Sequence, residues 1–178
     1  MRFQTVSVIK HESRIVWAAM RDDLPKIVRF LGDIESVTEQ QRCETKEHCK
    51  IVNIWKASPR LPQALVKFID SDMFMWTDRA EWDNRMQTCN WSIELHHFRD
   101  SIQCHGSTLF QPAMGGAGTK VTFSGDLNWN SRKLLGSASF LGETALSAAE
   151  GIIRNILQKN FRKIAEALGQ YLDEKNRC

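Results

Sequence analysis

The sequence predicts an α+β domain in which an antiparallel sheet of about seven strands packs against a long C-terminal helix. Three observations carry that prediction. Polar and apolar residues alternate with period two at residues 2–10 and again over most of 34–129, as in strands with one wet face. Two short segments of helical spacing lie between those stretches. From about Leu141 to Asp173 the apolar residues recur at the spacing of a helix with one buried side.

In chain order, residues 2–10 form the first strand. Ser13 is placed to cap a helix starting at Arg14, with Ile15, Val16, Ala19 and Met20 on one face. Asp22 or Asp23 caps a second short helix that carries Pro25 in its first turn, where a missing N–H costs little. Ile27, Val28, Phe30 and Leu31 give it a buried side and Gly32 ends it. Val37, Glu39, Gln41 and Cys43 then share a strand face, and so do Cys49, Ile51, Asn53 and Trp55, with a turn near Thr45 to His48 between them. A short helix is expected after Pro59 and Pro62, using Leu61, Leu65, Val66 and Phe68.

Four clearer strands follow. Their inner faces read Phe74, Trp76, Asp78, Ala80 and Trp82; Cys89, Trp91, Ile93, Leu95 and His97; Ile102, Cys104, Gly106, Thr108 and Phe110; and Val121, Phe123, Gly125, Leu127 and Trp129. Simple hairpin registers set Asp78 opposite Trp91, Trp76 opposite Ile93, Ile93 opposite Gly106 and Trp91 opposite Thr108. The last helix carries Leu146, Ala149, Ile153, Ile156, Ile164, Leu168 and Tyr171 on one side. At ~30 residues it would be ~45 Å long, so it needs a partner as long as the sheet.

Composition narrows the class. The chain has 178 residues, 42% hydrophobic and 25% charged, with nine Phe and six Trp against one Tyr, which is globular and fits one domain spanning 1–178. A net charge of +3 with mixed signs points to no nucleic-acid partner. No stretch approaches the ~20 apolar residues of a membrane span, and the alternating N-terminus is not that of a signal peptide. The five cysteines show no CxxC spacing and read as reduced thiols of a cytoplasmic protein.

This order of elements resembles the helix-grip fold of the START-like (SRPBCC) superfamily, which includes the birch-pollen allergen family, lipid-transfer START domains and polyketide cyclase-like proteins. The resemblance runs from Met1 to about Lys175 and is topological. It implies a curved sheet wrapped around the long helix, with a cavity between them for sterols, lipids, flavonoid-like or polyketide compounds. The loop Met114-Gly115-Gly116-Ala117-Gly118 departs from the pattern, because it does not fall between the second and third strands, where the allergen branch has its glycine-rich loop. It also lacks the GK[ST] ending of a phosphate loop and leads into a strand, so it reads as a hairpin loop.

Given that resemblance, the expected ligand-binding residues are Trp55, Trp76, Asp78, Trp91, Ile93, Thr108 and Phe123 on the sheet and Ile153 and Ile156 on the helix. The alternative is an ordinary packed core. Asp78 is the odd member of its face: a buried carboxylate must be paired, protonated or wet. His97, with Asp72 across from it, is the other acid–base candidate. Glu39, Gln41 and Asn53 share the inner parity and either stay wet at the margin or line a polar end. No metal and no cofactor are expected: His96 and His97 point to opposite faces, and Cys43 facing Cys49 with His48 nearby makes three ligands at most. Arg154, Lys159, Arg162 and Lys163 read as the solvated side of the helix, the alternative being a transient membrane-docking surface. Three functions compete: binding or transport of a hydrophobic small molecule, a cyclase- or hydrolase-like enzyme using Asp78 or His97, and a ligand-free protein-interaction module. Oligomeric state has no signal in the sequence.

Overall fold

The computed structural model describes residues 1–57, 75–96, 102–129 and 143–177, with side chains along the last helix from 159 on. The helix expected after Pro59, the acid–base pair His97 and Asp72, and the side chains of Trp129, Ile153 and Ile156 lie outside the described residues. The elements are β1 (Arg2–Ile9), α1 (Ser13–Asp22), α2 (Leu24–Ile27), β2 (Ile34–Glu44), β3 (His48–Ala57), β4 (Met75–Asp83), β5 (Thr88–Leu95), β6 (Ile102–Ala113), β7 (Gly118–Trp129) and α3 (Glu143–Lys175). No helix among the described residues is long and apolar enough to cross a membrane.

The seven strands form one antiparallel, curved sheet in the order β1-β7-β6-β5-β4-β3-β2, as the alternation predicts. Its inner face buries Ala80, Trp82, Cys89, Trp91, Cys104, Phe110, Val121, Phe123 and Leu127. The C-terminal part of α3 lies against β1, α1 and α2, and its Phe161, Ala165, Leu168 and Leu172 form a buried stripe. Lys163, expected on the solvated side, is partly exposed there and forms a surface ion pair with Asp33.

Several local expectations are corrected. β4 and β5 pair Asp78 with Ile93, Trp76 with Leu95 and Ala80 with Trp91. β5 and β6 pair Trp91 with Gly106, Ile93 with Cys104 and Cys89 with Thr108. Both registers are two residues from the simplest hairpin. After β4 the reason is visible: the turn is wider, Gln87 takes φ 51°, and the Asp83 carboxylate accepts the N–H groups of Arg85 and Met86 at 2.9 and 2.8 Å. A slip of two keeps every side chain on its predicted face.

A slip of one does not. A β-bulge in β2 falls between Glu39, which pairs with Asn53, and Gln41, which pairs with Val52. Beyond it Gln41 and Cys43 turn outward, and Arg42 and Glu44 take the inner positions. Cys43 therefore pairs with Lys50 and is exposed, whereas Cys49 is buried, so the two thiols do not face each other. In α1, Ser13 is the first helical residue and makes no side-chain cap. Trp17 is buried in place of Ile15, because its ring meets Trp82 edge-on at 5.9 Å.

A candidate ligand site between the sheet and the helices

A cavity of about 250 Å³ lies between the inner sheet face, the α1–α2 corner and α3. Its wall is largely apolar, which follows from how each element is built. β3 and β4 contribute Ile51, Trp55, Trp76, Ala80 and Trp82, alternate residues of facing strands. β5 adds Cys89, Trp91, Ile93 and Leu95, and β6 and β7 add Thr108 and Phe123. Met20, Arg21 and Leu24 close one side, and Asn160, Phe161 and Ile164 of α3 close another.

Aromatic rings shape the space. Trp55 and Trp76 are cross-strand partners whose rings stack at 5.5 Å with an interplanar angle of 14°. Phe161 enters from α3 and meets Phe123 at 4.8 Å, Trp91 at 5.3 Å and Phe3 at 5.5 Å, closing the floor. The Trp91 ring lies over the facing glycines Gly106 and Gly125, and its indole N–H donates to the Thr108 hydroxyl at 3.1 Å. That bond leaves the Thr108 hydroxyl hydrogen free to donate elsewhere.

Among the described residues, two charged groups border the cavity. Arg21 is compensated: it donates to both oxygens of Asp22 at 2.8 Å and to Asn84 at 3.0 Å, lies 3.7 Å from Glu44, and stacks over Trp17. Asp78 sits mid-strand on β4 between Asn53 and Ile93. It is half-buried, and it lines the cavity. Burial raises its carboxyl from 3.8 to about 6, against the Asn53 amide and the Trp55 indole, which favour the charged form. The Trp55 N–H acts only weakly here, for it closes no hydrogen bond of normal geometry, and neither does that of Trp82. The Cys89 thiol, also on the wall, is held well above its ordinary range by burial and then by the Asp78 charge, so it is no nucleophile at neutral pH.

The structure thus brings together Trp55, Trp76, Asp78, Trp91, Ile93, Thr108 and Phe123 around one cavity. Asn53 lines it too, whereas Glu39 and Gln41 are exposed. Residues missed by the sequence reading include Phe161, Asn160, Arg21 and Leu24. Phe161 was legible, lying three and seven residues before Ile164 and Leu168 on the same helical face. Arg21 carried no signal, since its place at the cavity depends on how α1 crosses the sheet.

The architecture is the helix-grip fold, a curved antiparallel sheet gripping a long C-terminal helix. Solved structures that share it include an aromatase/cyclase from a Streptomyces species, 11% identical, with a TM-score of 0.69 over 100% of this chain and 96% of that one. A protein from Thermus thermophilus is 15% identical, with a TM-score of 0.64 over 94% and 97% of the two chains. Norcoclaurine synthase from Thalictrum flavum is 9% identical, with a TM-score of 0.56 over 98% and 87%. No protein-family profile matches the chain, and no curated protein sequence does.

Proposed function

We propose that the protein binds a flat, hydrophobic small molecule between the sheet and α3. The observation that carries this reading is the cavity of about 250 Å³ walled by Trp55, Trp76, Trp91 and Phe161. A cavity of about 150 Å³ lined by apolar side chains holds benzene, so this one has room for a fused bicyclic ring with a short chain. Burial of the ring face supplies affinity, and Asp78, Thr108 and Asn160 are the polar groups that orient the bound molecule. The sequence-based expectation for Ile153 and Ile156 extends the wall along α3. Two of the solved structures of this fold carry the names of enzymes, an aromatase/cyclase and a synthase, and this gives the reading a precedent in small-molecule chemistry.

Tryptophan fluorescence tests it. Naphthylethanol, a neutral bicyclic probe, is expected to quench the wild-type emission saturably. Ile93→Phe, which fills the cavity from β5, is expected to abolish the quenching while leaving the circular dichroism unchanged. Unsaturable quenching that is equal in both proteins overturns the reading.

A second reading is favoured by one observation, a cavity carboxyl raised to about 6 by burial. Such a group exchanges a proton near neutral pH, so Asp78 is the residue through which a bound substrate would gain or lose one. Under this reading Asp78→Asn keeps ligand binding and loses turnover. Turnover that survives the substitution excludes Asp78 as the acid or base.

A further inference from the structure

We propose that the cavity selects an organic cation: a protonated amine on a flat apolar body, its nitrogen held by the Asp78 carboxylate and its ring beside the stacked indoles of Trp55 and Trp76. The proposal rests on the cavity-binding reading and names the class of ligand.

The charges around the cavity carry the argument. The ionisable groups among its described lining residues are Arg21, Asp78 and the Cys89 thiol. The Arg21 guanidinium is satisfied by protein carboxylates, with Asp22 bound through both oxygens and Glu44 beside it. Its side chain is only 15% exposed and is fixed by the Trp17 ring, so it is not free to turn toward a ligand. Asp78 has the opposite situation. Its neighbours across the sheet are Asn53 and Ile93, both neutral, and no ion pair joins it among the described residues. Arg21 is no remedy, because its partner Asn84 follows the end of β4, six residues and roughly 20 Å of strand from Asp78. Among the described residues, the ionised cavity therefore holds one carboxylate without a cation.

A carboxylate removed from water without a counter-charge is costly, and a bound cation removes that cost. An apolar neutral ligand would do the reverse, displacing whatever water solvates the carboxylate. The aromatic surround agrees in sign. Trp76 lies two residues before Asp78 on the same face of β4, and Trp55 is its stacked cross-strand partner. An indole face attracts a cation through its quadrupole and repels an anion. The same geometry rejects a carboxylate ligand, which would meet Asp78 as a like charge.

Isothermal titration at about pH 7.5, where Asp78 is ionised, tests this with three isosteric probes: naphthylethylamine, naphthylethanol and naphthylacetate. The amine is expected to bind about tenfold or more tightly than the alcohol, and the acid not measurably. In Asp78→Asn the amine is expected to lose about tenfold in affinity and the alcohol to change less than about twofold. Asp78→Ser provides the same comparison should the asparagine variant fail to fold. An alcohol that binds as tightly as the amine, or an amine preference that survives both substitutions, overturns the cation assignment and leaves the cavity reading standing. Failure of both the amine and the alcohol to bind the wild type overturns both.

Discussion

The Trp91 ring lies so close over its cross-strand partner Gly106 that a methyl group on the glycine would fall 2.5 Å from the indole and 2.2 Å from the carbonyl oxygen of Ser124. The ring could shift, but the carbonyl belongs to the β7 backbone. Gly125, paired with Gly106, is confined in the same way by Phe3 at 2.6 Å and Trp91 at 2.8 Å. Neither site needs a positive φ; both need the absent Cβ so that an aromatic floor can lie on the sheet. Gly106→Ala is expected to destabilise by about 3 kcal/mol, read as a lowered midpoint of urea unfolding with an unchanged slope. An effect under about 0.5 kcal/mol would show that Trp91 does not occupy this position.

Thr108 accepts the buried indole N–H of Trp91 at 3.1 Å. Thr108→Val keeps the shape and removes the acceptor, which leaves a buried donor unpaired. A loss of about 1–2 kcal/mol is expected in Thr108→Val, and nearly none when Trp91→Phe is already present, because the donor is then gone. Equal losses in the two backgrounds would contradict the pairing.

The strands of the sheet, the side each residue faces and the terminal helix were legible because side-chain direction in a strand has period two and in a helix 3.6. Asp78, Trp91 and Ile93 were therefore assigned to the right face even though their partners were wrong by two residues. The bulge in β2 left no mark in composition, and it reversed Gln41 and Cys43 while bringing in Arg42. Asn53 was legible as an inner-face residue but not as a cavity-lining one, and Arg21 not at all: periodicity gives a side chain's direction but not which neighbour it meets or whether space is left beside it. Whether a row of tryptophans fills a core or walls a cavity is decided by their rotamers and by how the helices cross the sheet.

The bulge makes a chemical prediction. Without it Cys43 and Cys49 would share a face; with it Cys43 is exposed and Cys49 is buried with its thiol held above the ordinary range by that burial. Cys104 is pushed up to about 11 for the same reason. Under native conditions iodoacetamide should label Cys43 at least about tenfold faster than Cys49, Cys89 or Cys104, as read by peptide mapping. Comparable labelling of Cys43 and Cys49 would place the bulge elsewhere.

The stability of the fold should carry the signature of Asp78. Its carboxyl titrates at about 6 in the folded protein and near 3.8 when unfolded, so between those values the native state holds more protons. The stability that Asp78 contributes is then greatest below the unfolded value and falls as pH rises through the folded one. The difference corresponds to about 3 kcal/mol, fully expressed above about pH 7. The described groups that line the cavity with Asp78 do not blur this. Asn53, Trp55, Ile93, Phe161 and Ile164 do not titrate, Arg21 stays charged, and Cys89 titrates far higher. Asp22, which burial would raise but Arg21 and Arg42 hold below its ordinary value, titrates alike in wild type and variant. Asp78→Asn should therefore be more stable than the wild type by an amount that grows by up to about 3 kcal/mol between about pH 4 and pH 7.5. Urea unfolding across that range reads it directly. A pH-independent difference would mean that water reaches the carboxylate freely and that burial does not set its charge. A saturating amine ligand should shrink the difference at the upper end of the range, since it stabilises the one protein that still carries the carboxylate.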